Sequence, residues 1–245
     1  MPIIYLSPST QEWNLYVDGG TEEYYMNQIA DAMIPYLRAN GIRYVRNTPD
    51  MTAASSIRAS NAGRYDLHLA LHSNASPESK AGQRQGTEVY YAANSPRGKR
   101  AAEIIADNLR AIYLDPERVR TLTTDYLGEV TKTRAPAVLI EFAYHDNPED
   151  ARWIRQNIQQ IAENVVLSLT EYFGLPFIRP QPPAIGVVAT QSSPLNIRSK
   201  PSLSAPVIGQ VGKGQKVNVY GKWENWYVIE GGGVTGYADG RYLQL

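Results

Sequence analysis

Two residues of this sequence that could bind a metal or transfer a proton follow apolar strands. His72 ends the run Asp66–His72 and precedes the polar turn Ser73–Ala75. Glu141 ends a second apolar run. Because open α/β sheets bind ligands beyond the carboxyl ends of their strands, we expect both side chains at one sheet edge. The alternatives are an ordinary hydrogen bond for His72 and an ion pair with Arg134 for Glu141.

Glu23 is a third candidate, in a helix predicted from Glu22 to Leu37. It lies three residues before Met26, the first residue of the apolar stripe of this helix, and is therefore predicted to face the core. Glu22 is predicted to face solvent, favoured there by the helix dipole. A core-facing carboxylate needs a charged or metal partner. Two ligands and a general base, from Glu23, His72 and Glu141, would resemble a hydrolytic zinc site with an open position.

His68 precedes His72 by four residues on the same predicted strand. At the rise of a strand the two residues lie about 13 Å apart, too far to share one metal. We therefore predict that His68 is an interior histidine held by hydrogen bonds and is not part of the site.

The elements that position these residues alternate between strands and helices. Strands are predicted at 3–6, 42–45, 66–72, 86–91 and 137–142. Further helices are predicted after Thr52, after Ser95-Pro96, and from Asn147-Pro148 to near Phe173, each starting at a capping residue. This alternation predicts an α/β domain over residues 1–174, with a mostly parallel central sheet flanked by helices.

A proline-rich segment separates this domain from the rest of the chain. Residues 175–184 contain four prolines, which favour an extended linker. Short strands and glycine turns follow at close intervals, which predicts a small all-β barrel over residues 185–245. Trp226 is expected in its core, while the place of Trp223 is left open.

Four motifs together resemble the N-acetylmuramoyl-L-alanine amidases of the third type. They are Glu23-x-x-x-Asn27, His72-Ser-Asn-Ala75, Gly86-Thr-Glu-Val-Tyr90 and Pro136-Ala-Val-Leu-Ile-Glu141. The resemblance implies a hydrolase that cleaves the amide between muramic acid and the L-alanine of the stem peptide. It also implies a zinc ion, with Glu23 and His72 as ligands and Glu141 as the catalytic carboxylate. Supporting roles would belong to Glu88, Asn27 and Asn74.

The C-terminal region resembles bacterial SH3-like domains. The segments that carry this resemblance are Leu195–Pro201, Trp226–Val228 and Gly236–Ala238. Such modules usually bind cell-wall material, so the resemblance implies peptidoglycan as the partner of both regions.

One motif of the amidase family is missing. The family has a zinc-binding histidine in the loop after the first strand, but the loop Ser7–Asn14 has none, and the chain has only three histidines. Gln11 is the closest substitute by position, with Glu12 and His145 as alternatives. An amide oxygen suits harder ions than zinc. The sequence therefore leaves two hypotheses, a zinc amidase and a degenerate amidase fold that binds cell wall without cleaving it.

Composition sets the remaining expectations. The 24 basic residues equal the 24 acidic ones, so charge gives no reason to expect nucleic acid as a partner. The absence of cysteine excludes disulfides and thiolate chemistry. No stretch is long and apolar enough for a membrane span, and no signal peptide is recognised. We expect a monomer that acts at the bacterial cell wall or outside the cell, as an autolysin or an endolysin, by an unknown export route.

Overall fold

The structure, a computed structural model, describes all 245 residues. Contacts between Cα atoms divide the chain into two compact units. The first consists of residues 3–33 and 44–172, and the second of residues 1–2, 34–43 and 173–245. The domain limits predicted at residues 174 and 185 stay a prediction.

A six-stranded sheet forms the centre of the first unit. Its strands are β1 (Ile3–Pro8), β2 (Arg43–Arg46), β3 (Leu67–Asn74), β4 (Thr87–Ala92), β5 (Val119–Thr124) and β6 (Ala137–Tyr144). They lie in the order β2-β1-β3-β6-β4-β5. The pairs β1–β3, β3–β6 and β4–β5 are parallel, and β4–β6 is antiparallel. The predicted α/β class with a mostly parallel sheet is confirmed, although β5 was not predicted.

Six helices accompany this sheet. They are α1 (Glu22–Ala39), α2 (Ala53–Ala62), α3 (Pro96–Arg110), α4 (Gly128–Thr131), α5 (Pro148–Gln156) and α6 (Ile158–Phe173). The caps predicted at Thr52, Ser95 and Asn147 are present. The single final helix predicted from Asn147 to Phe173 is wrong, because Asn157 ends α5 and donates its side-chain amide to the carbonyl of Trp153 at 2.8 Å.

The register of the sheet brings the candidate residues to one edge. His72 on β3 and Glu141 on β6 are Cα partners, and Glu88 on β4 is the partner of Glu141 on its other side. Paired positions on neighbouring strands point to the same face, so these three side chains stand side by side.

The second unit contains a seven-stranded sheet that follows the predicted pattern of short strands. Its strands are β7 (Ala184–Val188), β8 (Leu195–Arg198), β9 (Val207–Val211), β10 (Lys216–Trp223), β11 (Trp226–Gly231), β12 (Val234–Asp239) and β13 (Leu243–Gln244), and every pair is antiparallel. Aliphatic side chains such as Ile197, Val217 and Ile229 form its buried core. Trp226 is only partly buried and lies outside that core, so its predicted place is wrong.

None of the helices combines the length and the apolar character needed to cross a membrane.

Candidate active site

His72 lies between two carboxylates at the carboxyl end of β3. Its Nδ1 is 2.8 Å from Oε1 of Glu22, and its Nε2 is 2.9 Å from Oε2 of Glu129. Only 7% of the residue is exposed. Burial lowers the pKa of the ring, but the hydrogen bonds that the ring donates to Glu129 and Glu22 outweigh burial and hold the pKa well above its ordinary value. The two carboxylates therefore favour the protonated form of the ring.

Glu22, and not Glu23, points toward this centre. Glu22 is 1% exposed, whereas Glu23 is half-buried and accepts a hydrogen bond from Asn27 at 3.1 Å. The prediction that Glu23 faces the core and Glu22 faces solvent is wrong. In the structure the buried stripe of α1 includes Glu22 and Met26, four residues apart, and Glu23 lies beside it.

The loop after β1 folds back over Glu22. The backbone N–H of Glu22 donates to the carbonyl of Asn14 at 2.9 Å, and Nδ2 of Asn14 donates to Glu22 Oε2 at 2.6 Å. Gln11 in the same loop has its Nε2 3.5 Å from His72 Nδ1. Burial raises the pKa of Glu22, but the hydrogen bond and charge of His72 and the bond from Asn14 lower it below its usual value.

Glu129, on the short helix α4, was not predicted as a site residue. Its Oε1 accepts from Ser7 Oγ and lies 3.3 Å from Nε2 of His68. The residue is 6% exposed, yet the two histidines overcome the effect of burial and hold the pKa of its carboxyl below the usual range. His68 is fully buried and also contacts Ser60 at 3.0 Å, so its predicted interior role is confirmed.

Glu141 completes the group of acidic residues. Its Oε2 is buried and has no hydrogen-bond partner. Burial raises the pKa of Glu141 to about 8, with His72 lowering it and Glu22, Glu88 and Glu129 adding to the increase. A carboxyl group that titrates near neutral pH can both accept and donate a proton, which is the requirement for a general acid–base.

The predicted supporting residues fall into two places. Glu88 neighbours Glu141 and is bound by Asn74 at 3.0 Å, by the Tyr90 hydroxyl at 2.7 Å and by Arg120 at 3.0 Å. Asn27 instead lies on α1, where it contacts Glu23 and accepts from Arg46 at 2.6 Å.

The alternatives to Gln11 do not reach His72. Glu12 is exposed. His145 is buried, but its Nδ1 contacts the carbonyl of Ser73 at 2.9 Å, and its ring stacks on Tyr16. Of these three candidates, Gln11 is the one whose side chain lies beside His72, and Ser7 and Asn14 of the same loop contact Glu129 and Glu22.

Comparison with known proteins places this site in a family. The model of the N-acetylmuramoyl-L-alanine amidase family matches residues 12–171, which include every group of the centre except Ser7 and Gln11. The chain belongs to this amidase family. A second model, the bacterial SH3 domain, matches residues 193–244. No curated protein matches the chain.

Solved amidase structures share the fold. An amidase of Clostridium difficile 630 is 17% identical with a TM-score of 0.63, and covers 71% of this chain and 97% of its own. AmiC2 of Nostoc punctiforme is 16% identical with a TM-score of 0.61, at the same coverage of 71% and 97%. The catalytic domain of an endolysin targeting Clostridia Difficile is 22% identical with a TM-score of 0.57, and covers 70% of this chain and 98% of its own.

The residues of this amidase-family chain do not fit the zinc ion that the resemblance implies. Catalytic zinc sites have three protein ligands from imidazole, thiolate or carboxylate. Here no group of three or more His, Cys, Asp or Glu side chains could hold a metal. His72 Nδ1 and Glu22 Oε1 lie 2.8 Å apart, a hydrogen-bond distance, whereas two ligands of a tetrahedral zinc lie about 3.3 Å apart. Zinc binding stays a prediction that the donor set does not support.

Paired substitutions of the two adjacent glutamates test the position of Glu22. Glu22→Gln replaces a buried, charge-assisted partner of His72 and should lower the free energy of unfolding by about 1.5–3 kcal/mol. Glu23→Gln keeps an amide beside Asn27 and should cost about 1 kcal/mol or less. Urea unfolding of both variants measures the difference. A larger loss for Glu23→Gln would contradict the assignment.

Proposed function

We propose that this chain is a peptidoglycan amidase that hydrolyses the amide between the lactyl group of muramic acid and the L-alanine of the stem peptide. The observation that carries the proposal is Glu141, whose buried, unpartnered oxygen and pKa of about 8 suit a proton-transfer group. The family match and the amidase neighbours support the same chemistry.

In this proposal Glu141 takes a proton from the water that attacks the lactyl carbonyl carbon. As the C–N bond breaks, the same carboxyl group returns that proton to the nitrogen of L-alanine. The products are muramic acid with a free lactyl carboxylic acid and a stem peptide with a free amine. His72 neighbours Glu141 in the sheet, and its charge keeps the pKa of Glu141 lower than burial alone would set it. Glu22 and Glu129 hold the ring of His72 in place from both nitrogens.

Product analysis tests this proposal. Purified peptidoglycan is incubated with the full chain or with Glu141→Gln, and the soluble products are identified by mass spectrometry. We expect free stem peptides and muramic acid with a free lactyl carboxyl from the native chain, and a decrease of at least about 100-fold for Glu141→Gln. Equal release by both proteins would refute the role of Glu141. Glycan fragments in place of free peptides would refute the amidase reaction.

A second candidate function is wall binding without cleavage. The observation that favours it is the donor set around His72, which lacks a third ligand of the kind that zinc amidases need. Under this hypothesis the chain sediments with insoluble peptidoglycan but releases no stem peptide. The product analysis above therefore distinguishes the two functions.

The second unit has a surface suited to wall binding. A cleft of about 700 Å³ is lined by polar residues of the segment 190–196 and by Arg198, Trp226 and Tyr242. Aromatic faces with nearby polar groups suit sugar and peptide ligands. We therefore propose that this cleft contacts the cell wall.

Truncation of an aromatic residue in the cleft tests this surface. Tyr242→Ala should reduce binding to insoluble peptidoglycan by about 10-fold, because it removes an exposed ring from the cleft. Trp223→Ala is the matched control, since Trp223 is similarly exposed but does not line the cleft. Co-sedimentation measures both variants, and an equal loss would place the binding surface elsewhere.

A further inference from the structure

The contacts of His72 suggest what takes the place of a metal in this chain. We propose that a hydrogen-bonded bridge of Glu22, His72 and Glu129 replaces the zinc ion, and that the folded protein takes up no zinc because residue 11 is an amide instead of an imidazole. This proposal holds whether or not the chain cleaves peptidoglycan.

The first step concerns the lone pairs of His72. A histidine binds zinc through an unprotonated ring nitrogen. Here Nδ1 and Nε2 both face carboxylate oxygens, at 2.8 and 2.9 Å, and a carboxylate can only accept a hydrogen bond. Each nitrogen must therefore donate, which leaves no lone pair for a metal.

The second step concerns the carboxylates, whose oxygens already have partners. Glu22 Oε2 accepts from Asn14 at 2.6 Å, and Glu22 Oε1 lies 3.3 Å from the backbone N–H of Ser73 as well as against His72. Glu129 Oε1 accepts from Ser7 and contacts His68. A zinc ion would have to displace several charge-assisted hydrogen bonds and would gain two strong ligands at most.

The third step concerns the orientation of Gln11. Glu22 accepts from Nδ2 of Asn14, which fixes the Asn14 amide, and the same Nδ2 donates to Oε1 of Gln11 at 3.2 Å. The oxygen of Gln11 is therefore directed at Asn14, and its Nε2 lies 3.5 Å from Nδ1 of His72, which already donates to Glu22. An amide nitrogen does not bind zinc, so Gln11 offers the centre no ligand.

The fourth step concerns charge. The centre pairs a doubly protonated imidazole ring with two carboxylates that are nearly fully buried. Two charges of one sign and one of the other leave a single excess negative charge, which the surrounding N–H and O–H donors stabilise. A divalent cation is not required to make this centre stable.

Zinc binding by the intact chain tests the proposal. The native protein and Gln11→His are dialysed against zinc chloride, and bound zinc is measured by plasma mass spectrometry. We expect no stoichiometric zinc in the native chain and one zinc per chain in Gln11→His, which gains the missing imidazole. One zinc per native chain, lost in His72→Ala, would overturn the bridge. A Gln11→His variant without zinc would overturn the assignment of the missing ligand to residue 11.

The ring nitrogens of His72 give a readout that depends on neither activity nor zinc stoichiometry. Nitrogen-15 NMR of the native chain at neutral pH should show a hydrogen on both Nδ1 and Nε2, with resonances that zinc does not shift. His72→Ala identifies these signals, since His68 and His145 remain. A bare ring nitrogen, or resonances moved by zinc, would overturn the proposal.

Discussion

Replacing Glu129 by glutamine should lower the free energy of unfolding by about 3–5 kcal/mol, the range measured when one partner of a buried ion pair is removed. Glu129 is the one acceptor that joins His72, His68 and Ser7. Glutamine keeps the shape of the side chain but brings two N–H donors against groups that themselves donate. The loss therefore combines a missing charge with donors that cannot be satisfied.

Chemical unfolding in urea near pH 7 measures this change. Glu171→Gln, at an exposed position of α6, is the control and should stay within about 0.5 kcal/mol of the native chain. A Glu129→Gln variant that is as stable as Glu171→Gln would mean that the contacts of Glu129 with the two histidines do not stabilise the fold.

Most of the fold could be predicted from the sequence, because its signals are local. The caps at Thr52 and Ser95-Pro96 start helices where they were predicted to start. The short strands and glycine turns after residue 184 predicted the all-β unit. The missed strand β5 alternates little in polarity, and neither of its faces is buried throughout, so its pairing with β4 is a tertiary effect.

The site could be predicted only where a residue ends a strand. His72 and Glu141 share an edge because parallel register follows from the α/β pattern. Glu129 carries no such signal, since α4 is four residues long and has no periodicity. Glu22 and Glu23 differ by one position, and stripe spacings of three and four residues fit both equally well. The loop after β1 covers Glu22 and not Glu23, and the position of a loop cannot be predicted from periodicity.

Trp226 illustrates the same limit in the second unit. An aromatic residue that starts a strand, as Trp226 does, is expected in the core of a small barrel. The core of this sheet consists of aliphatic and alanine side chains, and Trp226 instead lines the cleft. Which aromatic side chains are enclosed depends on how the strands close, and this is not a property of one strand.

Replacing Glu141 by glutamine should stabilise the protein increasingly as pH rises from about 4.5 to 8. Burial raises the pKa of Glu141 from its ordinary value of 4.5 to about 8 in the folded protein. The stabilising effect of a raised pKa is complete at pH values below the pKa of the unfolded chain. It is lost as the pH rises through the pKa of the folded protein. The native chain therefore loses up to about 1.4 kcal/mol per pH unit in this interval, and the glutamine variant does not.

Thermal and urea unfolding of the two proteins at several pH values measures this difference. Glu141→Gln should match the native chain most closely near pH 4.5, where both carry an uncharged side chain, and exceed it by a few kcal/mol at pH 8. A difference that does not change with pH would mean that Glu141 titrates normally, which would also remove the physical basis for its proposed role in proton transfer. A large pH-dependent gain would instead show that the fold tolerates a destabilising acid at this position. Natural proteins accept such a loss of stability chiefly where the residue is needed for function.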